Sequence, residues 1–444
     1  MTAGGIEFIG GFESTYLPAH DADVLETSGH TRQWRQDLFL LRACGVSRLR
    51  YPVRWHRVER TPGEYDWRDT DEVLGFLRDH GFRPIVDLVH HTSYPRWLEG
   101  GFADPRFGSA YRRYAEAFAQ RYPWVEEYTL FNEPFSTLFL CGHEAIWPPY
   151  HQGVDNLAAM LVNVLPALCD AAAAFRDLLP DARHVWVDAC ERHSGCDAEG
   201  QEYARYANDR RFTVIDAVLG RLGPDPEARP FIGELLRAGG EPLLDLRPMH
   251  VDVLGLDYYA HCQWEFGSAG PRVPTPQPPP LASLITEYAD RYGVPVALTE
   301  TNLRGFASDR VSWLRYVLEQ CERAVAAGVA FDGLCWFPFV DSCDWDSLLF
   351  RCEGNVDPVG VVSIGPGGQR QPTIMTAAYS AAAHGASSST LPAFRFQEPV
   401  AGWLAGYQEQ MSHWPWEDPL ESALELQARP GDDRFEPLRI RDAS

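Results

Sequence analysis

Two short runs of the 444-residue chain place a glutamate directly after an apolar stretch. One reads Leu130-Phe131-Asn132-Glu133-Pro134, the other Ala297-Leu298-Thr299-Glu300-Thr301. If the two carboxyls face each other, one can give a proton to a leaving oxygen while the other attacks carbon. Cleavage of a glycosidic bond with retention needs that pairing, with the carboxyls about 5 Å apart. One such glutamate would mean little, because most are simply solvated. Two, each after an apolar run and each with distinctive neighbours, mean much more. Other chemistries are poorly supplied. Every basic residue is Arg, which removes Schiff-base lysines and a P-loop lysine. No GxSxG elbow occurs. Cys141-Gly142-His143-Glu144 gathers possible ligands on one loop, but no second Cys/His pair has ligand spacing. His90 and His91 are adjacent on an apparent strand, so they are expected to point to opposite faces and not to form a metal pair. No metal and no cofactor is expected.

The elements that position these residues can be read from periodicity. Short apolar, β-branched runs predict strands at Ile6–Phe12, Val46–Tyr51, Pro84–Val89, Glu127–Phe131, His184–Ala189, Val251–Asp257, Pro295–Glu300 and Phe331–Phe337. Helical patterns fall between them at Thr31–Cys44, Asp69–His80, Arg106–Tyr122, Asn156–Leu179, Gln201–Leu219, Leu281–Tyr292, Asp309–Ala327 and Thr373–His384. The alternation predicts an α/β fold, a (β/α)8 TIM barrel over residues 1–385, with a C-terminal extension over 386–444. A doubly wound sheet would carry a glycine fingerprint after its first strand, where this chain reads Gly10-Gly11-Phe12-Glu13. In a barrel, chemistry sits at the C-terminal ends of the strands, where Glu133 and Glu300 stand. The extension carries Trp403, Trp414 and Trp416 among acids and is expected to pack on the barrel. The Gly/Pro-rich stretch Ser268–Pro280 follows the sixth strand and is either a substrate rim or a stiff surface loop.

These motifs together resemble glycoside hydrolase family 1, within the retaining (β/α)8 glycosidases. Phe131-Asn132-Glu133-Pro134 resembles the family's acid/base motif. Arg50-Tyr51-Pro52-Val53-Arg54-Trp55-His56-Arg57 resembles its second-strand motif, and Leu88-Val89-His90 with Pro95-Arg96-Trp97-Leu98 its third. Gly255-Leu256-Asp257-Tyr258-Tyr259 resembles the sixth, Thr299-Glu300 the nucleophile motif, and Trp336 with Asp344-Trp345 the eighth. The resemblance implies Glu133 as acid/base and Glu300 as nucleophile. It implies that Arg50 and Tyr259 hold Glu300, that Asn132 holds a sugar 2-hydroxyl, and that His90 binds a neighbouring hydroxyl. Trp336 would stack under the sugar, with Asp344 and Trp345 as further contacts.

The chain departs from the family at residues that grip the sugar. The usual Gln after the first strand is missing, and Glu13 is the candidate in its place. Asp344-Trp345 replaces Glu-Trp and needs a one-residue insertion counted from Trp336. The sixth-strand Asn is Asp257, and Thr301-Asn302 follows the nucleophile. The reaction type is therefore better marked than the sugar.

Composition narrows the partners. With 62 acidic and 39 basic side chains the net charge is −23, which argues against nucleic acid or an anionic membrane. No apolar run reads as a membrane span and no secretion signal is evident, so the ten scattered cysteines are expected to be reduced thiols in a cytoplasmic protein. The expected partner is a small carbohydrate or glycoside; composition says nothing of oligomeric state. The leading reading is a retaining, exo-acting β-glycosidase. Two alternatives stay open: a catalytically altered carbohydrate-binding barrel, and a transglycosylase.

Overall fold

A computed structural model describes residues 5–223, 225–268, 275 and 278–394. Eight strands close a parallel barrel: β1 Phe8–Gly11, β2 Arg48–Pro52, β3 Arg83–Asp87, β4 Glu127–Thr129, β5 Arg183–Ala189, β6 Val253–Asp257, β7 Val296–Glu300 and β8 Phe331–Cys335. Their spatial order is their chain order, and β8 returns to β1 through Phe8↔Leu334 and Ile9↔Cys335. All eight expected strands are present, with ends shifted by one or two residues; seven are trimmed at one end or both, and the fifth starts one residue earlier, at Arg183. Helices cover the outside, which is why most strand residues are buried on both faces. The first two barrel helices, His30–Ala43 and Arg68–Asp79, each run out just before a left-handed glycine, Gly45 and Gly81.

The expected helix over Gln201–Leu219 is two pieces, Ala198–Arg210 and Thr213–Val218. A short helix, Pro134–Gly142, was not anticipated; it opens on a proline directly after Glu133. A parallel pair of short strands, Arg192–Gly195 with Gln263–Phe266, extends the loops after β5 and β6. Helix Val154–Leu178 is long and apolar enough by composition to cross a membrane, which corrects the reading that no such run exists. Its apolar face is buried against the neighbouring helix Phe107–Arg121 and the rest of the barrel wall.

Inside the barrel, Ile9, Ile85, Val185, Val187, Val253, Ala297 and Cys335 form an apolar plug. It divides the barrel into two polar ends. The plug also seats Phe337, and a Cβ on Gly11 would lie 2.4 Å from the Phe337 ring. Glycine is needed there for close approach. The aromatic tail with Trp403, Trp414 and Trp416, and most of Ser268–Pro280, lie outside the described residues.

Candidate active site

The C-terminal end of the barrel gathers the expected carboxyls. Glu300 is the last residue of β7. Glu133 follows β4, where Asn132 bridges to His90 and to Val187, and Glu133 N donates to the Val187 carbonyl. Glu133 has a left-handed backbone, φ 47°, unusual for a side-chain-bearing residue. The turn re-aims its side chain before Pro134 starts the helix. Asp257 ends β6 between them. One carboxylate oxygen each from Glu133, Asp257 and Glu300 lies within 4.8 Å of the others. That separation suits a retaining pair, because no room remains for a water between the carboxyls. Among the described residues, this trio is also the one group of side chains close enough to hold a metal ion.

Each oxygen of Glu300 has a donor. Arg50 Nη1 donates to Oε1, and the Tyr259 hydroxyl donates to Oε2 at 2.6 Å. Burial works against the Arg50 charge, but Glu300, Asp87 and Asp257 outweigh it and raise its pKa. Arg50 Nη2 also donates to Asn132 Oδ1 and, at 3.2 Å, to Asp87 Oδ2. The Asn132 carbonyl is thereby occupied and its buried Nδ2 has no partner, which leaves a donor for a ligand oxygen.

Glu133 differs. Burial pushes its pKa well above the usual carboxylate range, and the charges of Asp257, Glu300 and Asp188 push it further. A protonated Glu133 beside an anchored Glu300 is the division of labour that an acid and a nucleophile require.

His90 Nδ1 pairs with Asp87 Oδ2 at 2.8 Å, and its Nε2 stands 3.5 Å from Glu13 Oε1. Burial would lower the His90 pKa, but Asp87 and Glu13 reverse this and raise it. Burial raises Glu13, although Thr15 donates to it from both its amide and its hydroxyl. Glu13 is thus beside His90 at the pocket wall, where the missing Gln was sought.

Three expectations are corrected. Trp336 is fully buried, and its indole donates to the Val359 carbonyl at 2.8 Å. It does not line the pocket; Phe337 does, with its ring stacked on His90 and 5.2 Å from the Arg50 guanidinium. Counted from Phe337, the spacing to Asp344-Trp345 needs no insertion. Asp344 turns away: its carboxylate oxygens accept from Gly354 N and Asn355 N and fix a loop. Trp345 does reach the pocket. Finally, His90 and His91 do not diverge, because β3 ends at Asp87 and His91 has φ 49°. Their rings stand 4.7 Å apart, and His91 bonds Thr137.

The cavity holds about 280 Å³. Its wall on the Glu133 side includes Phe139, Glu191, Arg210 and Trp264, none anticipated from sequence. Glu191 is held by His193 at 3.3 Å, a pairing that helps lower the Glu191 pKa to about 2 even though burial alone would raise it. The Arg210 guanidinium lies over the Phe139 ring at 4.9 Å and makes no hydrogen bond or ion pair with a described residue.

The sequence model of Glycosyl hydrolase family 1 matches residues 15–214. An aryl-phospho-β-D-glucosidase of Bacillus subtilis (strain 168) is 23% identical over 388 residues, covering 71% of this chain and 78% of the relative. A bifunctional β-D-glucosidase/β-D-fucosidase of Bifidobacterium breve is 25% identical over 394 residues, covering 74% and 82%. The family 1 β-glucosidase structure from Thermotoga maritima superposes with a TM-score of 0.67 at 17% identity, over 85% of this chain and 97% of that one, which shows the shared fold. Motifs, barrel and relatives agree: the chain is a glycoside hydrolase that is similar, as a divergent relative, to glycosyl hydrolase family 1.

Proposed function

We propose that the protein is a retaining, exo-acting β-glycosidase that releases one sugar from a small β-glycoside. The observation that carries this is the carboxyl pair: Glu300 anchored by Arg50 and Tyr259, with Glu133 inside 4.8 Å and its proton held by its surroundings. In the first step a Glu300 oxygen attacks the anomeric carbon and the bond to the leaving oxygen breaks. That oxygen takes the Glu133 proton. In the second step water attacks the same carbon, gives a proton to Glu133, and expels Glu300. In this reading Asn132 Nδ2, a buried donor without a protein partner, donates to the sugar 2-hydroxyl, a contact that tightens as charge develops.

The leaving group lies on the Glu133 side of the pocket. There Arg210 offers a free donor edge close to the charge of Glu191, an acceptor, and Trp264 adds a flat wall. Donor next to acceptor suits hydroxyls, so the leaving group is read as hydroxylated. All ten cysteines are free, which fits the reading of a reducing, cytoplasmic compartment.

The test is a panel of aryl β-glycosides with wild type and Glu300→Gly, with and without azide, and with product analysis in the presence of an acceptor alcohol. Wild-type turnover, its loss in the variant and its rescue by azide as a glycosyl azide of opposite anomeric configuration are expected. No cleavage by wild type and no rescue would defeat the proposal. Predominant transfer to the alcohol would assign transglycosylation.

A further inference from the structure

The third carboxyl of the cluster is unexplained by a two-glutamate mechanism. Asp257 is fully buried at the end of β6, and no amide, guanidinium or hydroxyl donor reaches its Oδ2. Its Oδ1 accepts the Thr299 hydroxyl at 2.7 Å. Arg50 lies close enough to favour its charge but spends its hydrogen bonds on Glu300, Asp87 and Asn132. We propose that Asp257 is a positioning residue acting through Glu133: it keeps the acid protonated in the resting enzyme and so sets the alkaline limit of catalysis. This rests on the acid/base reading of Glu133.

The order of ionisation follows from donors. Burial and the Glu300 charge raise the Asp257 pKa well above the usual carboxylate range, as burial does for Glu133, but Asp257 also has the Arg50 charge and the Thr299 hydroxyl on its side, and both favour its anion. Glu133 has no comparable donor: its carboxyl makes its side-chain hydrogen bond with Asp257 itself, a contact that raises the Glu133 pKa. When the pair loses its first proton, Asp257 is the member better equipped to ionise, and its charge then holds the proton on Glu133. The pair titrates as a unit with two apparent steps.

The other groups facing Asp257 do not replace it. Glu300 adds a like charge but is clamped by Arg50 and Tyr259, and Tyr259 is a neutral phenol whose own pKa burial raises. Asp188 on β5, pushed up to about 7 by burial, adds little below that pH. Cys190 beyond β5 is a thiol whose pKa burial raises to about 12, and the Cys335 thiol on β8 is raised as well. Neither brings charge at working pH.

Asp257 serves both half-reactions. At rest it retains the proton that the leaving oxygen needs. Once that proton has gone and Glu300 is esterified, the Asp257 charge makes the Glu133 carboxylate a stronger base toward water.

The test compares pH profiles of kcat/KM for wild type, Asp257→Asn and Thr299→Val. Asp257→Asn keeps the shape, and its alkaline limb is expected to fall by about one pH unit. Thr299→Val removes the hydroxyl that favours the Asp257 anion and is expected to lower the limb by less. If Asp257→Asn does not fold, Thr299→Val carries the test. A limb unmoved in the folded variants overturns the proposal. Difference-infrared titration of the Glu133 carboxyl, assigned with Glu133→Gln, needs no turnover. It separates failure of this proposal, an unchanged Glu133 titration in Asp257→Asn, from failure of the glycosidase reading, no turnover in wild type.

Discussion

Two arginines stand two residues apart on β2, both inside the barrel and both buried, and they live in opposite surroundings. Arg48 lies at the N-terminal end. With Arg83 and Arg183 it faces Glu7, Glu127 and Asp332, three cations against three anions. None of the Arg48 nitrogens is left buried without a partner. Arg50 lies at the C-terminal end, where it and His90 face Glu13, Asp87, Glu133, Asp257 and Glu300. There Arg50 Nε, Asp87 Oδ1, His90 Nε2 and Asn132 Nδ2 are all buried without a hydrogen-bond partner. A balanced network holds a fold together. An unbalanced one must take up protons and leave hydrogen-bonding groups open, and those are what a substrate and an acid catalyst use.

The contrast can be broken at either end. The largest effect is expected from Glu133→Gln. Its kcat/KM should fall about 10²- to 10⁴-fold on glycosides whose leaving oxygen needs a proton, and far less on a dinitrophenyl glycoside. Equal losses on both would remove Glu133 from the acid role. Arg48→Met should act on the other axis. Breaking a buried, fully paired network is expected to cost about 3–5 kcal/mol in denaturant unfolding, with the alkaline limb of activity where wild type has it. A shifted limb would mean that the two ends are electrically coupled through the apolar plug. The smallest effect is expected from Arg210→Gln: about a tenfold loss of kcat/KM on a glycoside with a hydroxylated leaving group, and almost none on a plain aryl glycoside. The same loss on both would place Arg210 in structure and not in leaving-group contact.

The barrel was legible because its strands are covered on both faces and therefore read as continuous apolar runs, with glycine stops after the helices. Glu133 and Glu300 were legible for a related reason: a charged residue directly after such a run stands at a strand end. Where sequence reading failed, the conformation was decided by a local exception. Trp336 was favoured over Phe337 by residue type, but the chain at the end of β8 turns the smaller ring inward, where Gly11 makes room. His91 was placed by strand alternation, which no longer applies beyond Asp87. Asp344 matched a motif position, yet two backbone amides on the following loop claim its carboxylate. Asp257 was visible as a departure at a strand end, and a third terminal carboxylate was the signal that it belonged to the site. Glu191 and Arg210 gave no signal, because one follows a strand loosely and the other ends a helix distant in sequence.

Phe337 and Gly11 carry a consequence for how the chain matures. The floor of the pocket is made where the last strand meets the first, and Glu13 follows the one as Phe337 follows the other. During synthesis β1 emerges long before β8, so the pocket cannot exist until the ring of strands shuts. A ligand that filled the pocket would touch both sides of that seam, since Glu13 and Phe337 both line it. It favours the shut ring over any open form by mass action, so that occupancy by ligand and completion of folding become one equilibrium.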